Sequence, residues 1–168
     1  MWSPWRYEYI RNLSEELNDA TQDGQNNGKN SNFIASYFQS PKQDETNLVI
    51  YRNSEGIVFL NRYPYANGHL LVALGEAKPE LLAYNYEQRR ALWELVEIGT
   101  SILKTKLNPQ GMNIGINEGQ ASGAGVPQHL HVHIIPRWSG DTNFMASVGN
   151  VRVIPASLET MWGQLTNT

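Results

Sequence analysis

Hydrophobic and polar positions divide the chain into blocks of two different periods. Leu48-Val49-Ile50-Tyr51 and Ile57-Val58-Phe59-Leu60 flank a polar turn, Asn53-Ser54-Glu55-Gly56, which is a hairpin signature. Asn61 to Gly68 carries Pro64 and Asn67-Gly68 and reads as a connection into a third strand over His69–Leu74. From Tyr86 to Lys106 the period changes. Leu92, Leu95, Val96, Gly99, Ile102 and Leu103 recur at three- and four-residue steps, predicting a long amphipathic helix that Asn108-Pro109 ends. Alternation returns over Met112–Asn117. Ser157 offers a cap to a last helix with Leu158, Met161, Trp162 and Leu165 on one face. At the other end, Ser3-Pro4 followed by Ile10, Leu13 and Leu17 predicts a helix to about Asp19, and Thr21–Asn32 reads as a polar, mobile loop. Hairpin, strand, helix and two further strands make an α+β fold with a largely antiparallel sheet.

The last of those strands carries the chemistry. Residues 129–136 read His-Leu-His-Val-His-Ile-Ile-Pro, and the whole chain has four histidines. In an extended segment side chains alternate, so His129, His131 and His133 line one face while Leu130, Val132 and Ile134 line the other. Three imidazoles in a row admit metal binding, nucleophilic or acid–base chemistry, or simple hydrogen bonding in a half-buried sheet. Cα atoms two residues apart on a strand are about 6.6 Å apart and those four apart about 13 Å, so three ligands from one straight strand suit a single metal ion poorly. Burying three neutral rings with no function would require a donor and an acceptor for each. The preceding segment Gly119-Gln120-Ala121-Ser122-Gly123-Ala124-Gly125 lets backbone amides approach an anion, and it also suits a plain connector.

Composition narrows the partners. At 168 residues the chain is long enough for one domain with a substantial core. A net charge of −3 and scattered aromatics disfavour nucleic acid as a partner. No apolar run is long enough to span a membrane, and the N-terminal residues lack the layout of a secretory signal, so a cytoplasmic protein is expected. With no cysteine there is neither a disulfide nor a thiolate metal ligand.

The histidine segment resembles the signature of the histidine triad (HIT) family, His-φ-His-φ-His-φ-φ with φ apolar. Asn61–His69 is similar to the family segment that ends in its fourth active-site histidine, and Asn117-Glu118-Gly119 to the strand end before its phosphate loop. Pro136-Arg137-Trp138, Gly140-Asp141, Asn143-Phe144-Met145 and the opening Trp2-Ser3-Pro4-Trp5-Arg6 look like the branch that cleaves diadenosine tetraphosphate and related dinucleotides. The implied architecture is a HIT-like antiparallel sheet of about five strands with a long helix packed on it and N- and C-terminal helices. Residues 1–30 would hold the N-terminal helix and polar loop, 31–145 the HIT domain, and 146–168 a C-terminal extension and helix.

The resemblance also implies roles. His131 would attack the α-phosphorus of a nucleotide, with His129 supplying a backbone carbonyl to its other ring nitrogen. His133 would contact the phosphate or leaving oxygen, and His69 would order that network. Asn117 would face the phosphates and Asn61 the ribose hydroxyls; their bland readings are a strand-end cap and a turn residue. The expected substrate is a dinucleoside polyphosphate, the acceptor water or phosphate, and the assembly a homodimer. No cofactor is expected. Related enzymes often carry a Cys-x-x-Cys zinc site ahead of the first hairpin, and the comparable stretch here, Asn32–Phe38, has no cysteine, so no structural zinc is expected. Gln128 stands where the branch commonly has an acidic residue. A nucleotide-binding sensor with little turnover is the competing function.

Overall fold

The computed structural model describes residues 32–142 and 154–167, all of which belong to one compact unit. The helix expected near residues 3–19 and the polar loop up to residue 31 lie outside them. Helix α1 (Phe33–Gln39) precedes strands β1 (Val49–Arg52), β2 (Gly56–Leu60) and β3 (Leu70–Leu74). Helix α2 (Tyr86–Leu107) follows, then β4 (Gly111–Ile116), β5 (Val132–Arg137) and helix α3 (Leu158–Thr166). The five strands form one antiparallel sheet in the order β1-β2-β3-β5-β4. The hairpin, third strand, long helix and C-terminal helix fall where periodicity puts them, with boundaries shifted by a residue or two.

Alternation makes the sheet two-faced. Val58, Leu60, Leu70, Val72, Leu74, Val132 and Ile134 form one core with Leu92, Leu95, Val96 and Leu103 of α2 and Met161 and Leu165 of α3. Leu70 and Leu95 are fully buried there, and truncating either to Ala is expected to cost about 2–5 kcal/mol. Helix α2 lies close to the sheet at Gly99, where an added Cβ would stand 3.0 Å from Ile134 Cδ1 and 3.2 Å from Val58 Cγ1. It starts at a capping box between Asn85 and Gln88 and ends at Asn108, whose φ of 46° is left-handed. Ser157 caps α3 as expected, accepting from Thr160 N–H.

On the opposite face a smaller core holds Ile57, Phe59, Leu71 and Ala73 against Ile34 of α1, with Phe33, Tyr37 and Phe38 packed around it. Helix α1 was not anticipated. Asn32, read from sequence as the end of a mobile loop, is its N-cap and accepts from Ala35 N–H. The other end of α1 is held by Arg52, whose guanidinium donates to the carbonyls of Tyr37 and Phe38 and pairs with Asp44. This second face matters for function, because the histidines lie on it.

Candidate active site

Strand β5 runs between β3 and β4, and His133 stands opposite Leu71 of β3 on one side and Gly115 of β4 on the other. Residues paired across a sheet share a face, so His133 projects on the α1 side while Val132 and Ile134 enter the α2 core. Regular strand begins only at Val132, leaving His129 and His131 in the segment that leads into it. The expected row of three is therefore two adjoining rings and one set apart by its partners. The His131 and His133 rings pack 5.1 Å apart, and His69 packs 5.1 Å from His133. The fully buried His129 ring instead meets Leu74 O at 2.8 Å through Nε2 and Asn32 Oδ1 at 2.9 Å through Nδ1.

Hydrogen-bond geometry assigns the protons of the adjoining rings. Tyr65 N–H donates to His69 Nδ1 at 3.0 Å, so the neutral His69 carries its proton on Nε2. That nitrogen lies 2.9 Å from His133 Nδ1, which accepts and leaves the His133 proton on Nε2. His133 Nε2 is buried without a hydrogen-bond partner. A buried N–H left unpaired in an otherwise satisfied cluster calls for an acceptor from outside.

His131 is set in the opposite sense. Its Nδ1 is 2.9 Å from the His129 carbonyl, which can only accept, so Nδ1 carries the proton and Nε2 the lone pair. Burial pushes the pKa of His131 below its ordinary value, partly opposed by the His129 carbonyl. Burial, with His131 second, pushes His133 down to about 4. Burial lowers His129 as well, with the Leu74 carbonyl opposing. At neutral pH His131 and His133 are uncharged, one presenting a lone pair and its neighbour an N–H.

A cleft of about 190 Å³ opens beside His133, lined by Tyr65, Asn113, Gly115, Asn117 and Ile135 among others. Asn117 is thus brought to the site. Asn61 is brought to His69: its Nδ2 is 3.4 Å from His69 Nδ1, and its Oδ1 accepts from Tyr63 N–H as a turn residue does. The Gly-rich segment forms a short 3-10 turn at Gln120–Ser122, with positive φ at Gly119 and Gly123. Glu118 accepts from Leu81 N–H at 2.8 Å. Sequence reasoning missed three contributors. Asn32 gave only a capping signal; Tyr65, whose ring stacks parallel to His133 at 6.1 Å, gave none. Gly115 was readable only as a small residue in an alternating strand.

A family model described as the HIT domain matches residues 42–140, and the chain belongs to that family. Over 161 residues it is 30% identical to AP-4-A phosphorylase of Mycobacterium tuberculosis, covering 94% of this chain and 77% of the relative. The asymmetrical bis(5'-nucleosyl)-tetraphosphatase of Schizosaccharomyces pombe is 34% identical over 93 residues, covering 55% of this chain and 50% of that one. Among solved structures, a Hit-like protein involved in cell-cycle regulation from Bartonella henselae superposes with a TM-score of 0.65 at 24% identity, covering 83% and 96% of the two chains. A Zn-bound histidine triad family protein from Mycobacterium smegmatis gives 0.60 at 25%, covering 78% and 89%.

Among the described residues the donor set does not fit zinc. The chain lacks cysteine, and among the described residues no three His, Cys, Asp or Glu side chains converge. The ring nitrogens of His129 already face Leu74 O and Asn32 Oδ1.

Proposed function

We propose that this protein cleaves dinucleoside polyphosphates such as diadenosine tetraphosphate at the α-phosphorus, through a nucleotide held covalently on His131. The observation that carries this reading is the buried, unpartnered His133 Nε2–H beside His131, whose own proton is confined to Nδ1. In the first step the Nε2 lone pair of His131 forms a bond to phosphorus, and the bond from phosphorus to the bridging oxygen breaks. ATP leaves, its new terminal charge accepting a hydrogen bond from His133 Nε2–H. The His131 ring keeps its Nδ1 proton, and the His129 carbonyl dipole faces the positive charge that develops on the ring. In the second step an acceptor oxygen displaces His131 Nε2 and the enzyme returns to its starting state.

We propose phosphate as that acceptor, so that the products are ADP and ATP. The relative named a phosphorylase, similar over 94% of this chain, supports it. So does the chemistry of the cleft: among the described residues its lining has no carboxylate to serve as base for water, and Gln128 is neutral where the resemblance leads one to expect an acid. Phosphate is already ionised and needs no such base. Incubation with diadenosine tetraphosphate, with and without phosphate, tests the reading. Phosphate-dependent ADP with ATP is expected; AMP with ATP in both samples would contradict phosphorolysis, and no turnover would contradict the enzyme.

A homodimer fits the exposed outer strand. No further strand pairs with β4 among the described residues, and Ile114 on it is 44% exposed. Light scattering on the purified protein would read the mass directly.

A further inference from the structure

We propose that Asn32 is a positioning residue for the nucleophile, acting through the side chain of His129. The proposal rests on His131 being that nucleophile.

The contacts form one path. Asn32 Oδ1 lies 2.9 Å from His129 Nδ1, across 97 residues of sequence. The other nitrogen of the same ring lies 2.8 Å from Leu74 O, at the end of β3. The His129 ring is fully buried with an acceptor facing each nitrogen; uncharged, it has one N–H for the two, and carried on Nδ1 that proton is donated to Asn32 Oδ1. The backbone carbonyl of that same residue receives the Nδ1 proton of His131. Residue 129 lies just ahead of β5 and takes no part in the sheet ladder. Its main-chain amide is fixed by a turn bond to Val126 O at 3.0 Å, the Leu130 N–H of the peptide that carries its carbonyl bonds Lys78 O at 2.8 Å, and its side chain adds to these restraints. If the ring is released, the carbonyl keeps only its backbone restraints, its alignment with His131 Nδ1 loosens, and the His131 proton gains access to Nε2. A proton there abolishes the lone pair that attacks phosphorus.

Asn32 also belongs to helix α1, since its Oδ1 accepts from Ala35 N–H at 3.2 Å. One side chain therefore joins the helix on the histidine face to the segment that carries the nucleophile. It lies in the stretch where related enzymes carry a Cys-x-x-Cys zinc site, and here that stretch reaches His129 through an amide. The restraint on the triad segment is a hydrogen bond.

Capping and positioning are separable by chemistry. Serine and threonine cap helices as well as asparagine does, but their hydroxyls are a bond too short to hold the His129 ring. For Asn32→Ser, and for Asn32→Thr should the first fold poorly, kcat is expected to fall about tenfold or more while KM stays within about threefold. The thermal midpoint should drop only by what one hydrogen bond is worth, about 2–4 °C. Nitrogen-15 NMR of the ligand-free protein gives a readout independent of turnover. His131 should show a single Nδ1–H tautomer in the wild type and a mixture in the variants. Wild-type kcat together with an unchanged His131 tautomer in a folded variant would overturn the proposal. Absent turnover in the wild type would instead strike the proposed reaction, and the tautomer comparison would still decide the role of Asn32.

Discussion

His69 Nε2 and His133 Nδ1 lie 2.9 Å apart, joining residues 64 positions apart in sequence. The backbone amide of Tyr65 fixes the far side of His69. A single direction of proton donation therefore runs from the main chain through two rings to His133 Nε2, which ends in an unpaired N–H. His131, 5.1 Å from His133, is fixed the other way round by the His129 carbonyl. Two neighbouring imidazoles thus hold complementary groups, one presenting a lone pair and the other a proton.

Removing the donor while keeping the volume should separate orientation from packing. His69→Phe leaves His133 Nδ1 without its hydrogen bond and its tautomer unassigned. Steady-state kinetics on diadenosine tetraphosphate should show kcat reduced about 10–100-fold with a smaller change in KM. Unchanged kcat would mean that the proton direction through His69 has no part in turnover.

Stability should depend on pH through the buried histidines. His133 titrates near 4 in the fold and near its ordinary value of 6.5 when unfolded, and His129 and His131 are displaced in the same direction. Between these values the unfolded chain binds more protons, so unfolding free energy falls as pH falls from 6.5 toward 4. For His133 alone the loss at pH 5 relative to pH 7.5 is about 2 kcal/mol. Urea midpoints at the two pH values measure it, and His133→Asn should reduce the difference.

Gly115 offers a way to alter the cleft without touching the core. It lies opposite His133, lines the cleft, and an added Cβ would meet nothing within 4 Å. Gly115→Val should leave the thermal midpoint unchanged or raise it, since valine favours strands. Its branches would fill space beside His133, and KM should rise about tenfold, equivalent to ~1.4 kcal/mol of binding. A stable variant with unaltered KM would place the substrate elsewhere.

Much of this architecture can be read in the chain because it rests on local periodicity. The hairpin around Asn53–Gly56, the α2 stripe ending at Asn108 and the Ser157 cap all depend on residues near one another in sequence. The alternation of Leu130, Val132 and Ile134 with histidine likewise assigns the two faces. What stays hidden depends on long-range contact. Helix α1 has no clear polar face because its aromatics pack on the sheet, and Asn32 gains its second partner from a residue 97 positions away. The His129 ring leaves the row because Leu74 O and Asn32 claim it, which strand geometry alone does not foresee. Asn61 illustrates the converse, since a turn bond to Tyr63 and a neighbour in His69 account for its placement.

His131→Asn removes the attacking lone pair while keeping a hydrogen-bonding side chain of smaller size. Turnover should fall by about three orders of magnitude or more with the fold intact by circular dichroism. Retained binding of diadenosine tetraphosphate by this variant, measured by calorimetry, would show that the loss is chemical.

The most direct test of the central claim is to trap the covalent nucleotide. Wild-type protein mixed with diadenosine tetraphosphate labelled at the α-phosphorus, without phosphate, is quenched within one turnover at alkaline pH, where phosphoramidates survive, and mapped by mass spectrometry. One adenylate per chain on His131, absent from His131→Asn and discharged as ADP when phosphate is added before the quench, is the expected result. Turnover with no labelled histidine, or with the label on His69, His129 or His133, would contradict it.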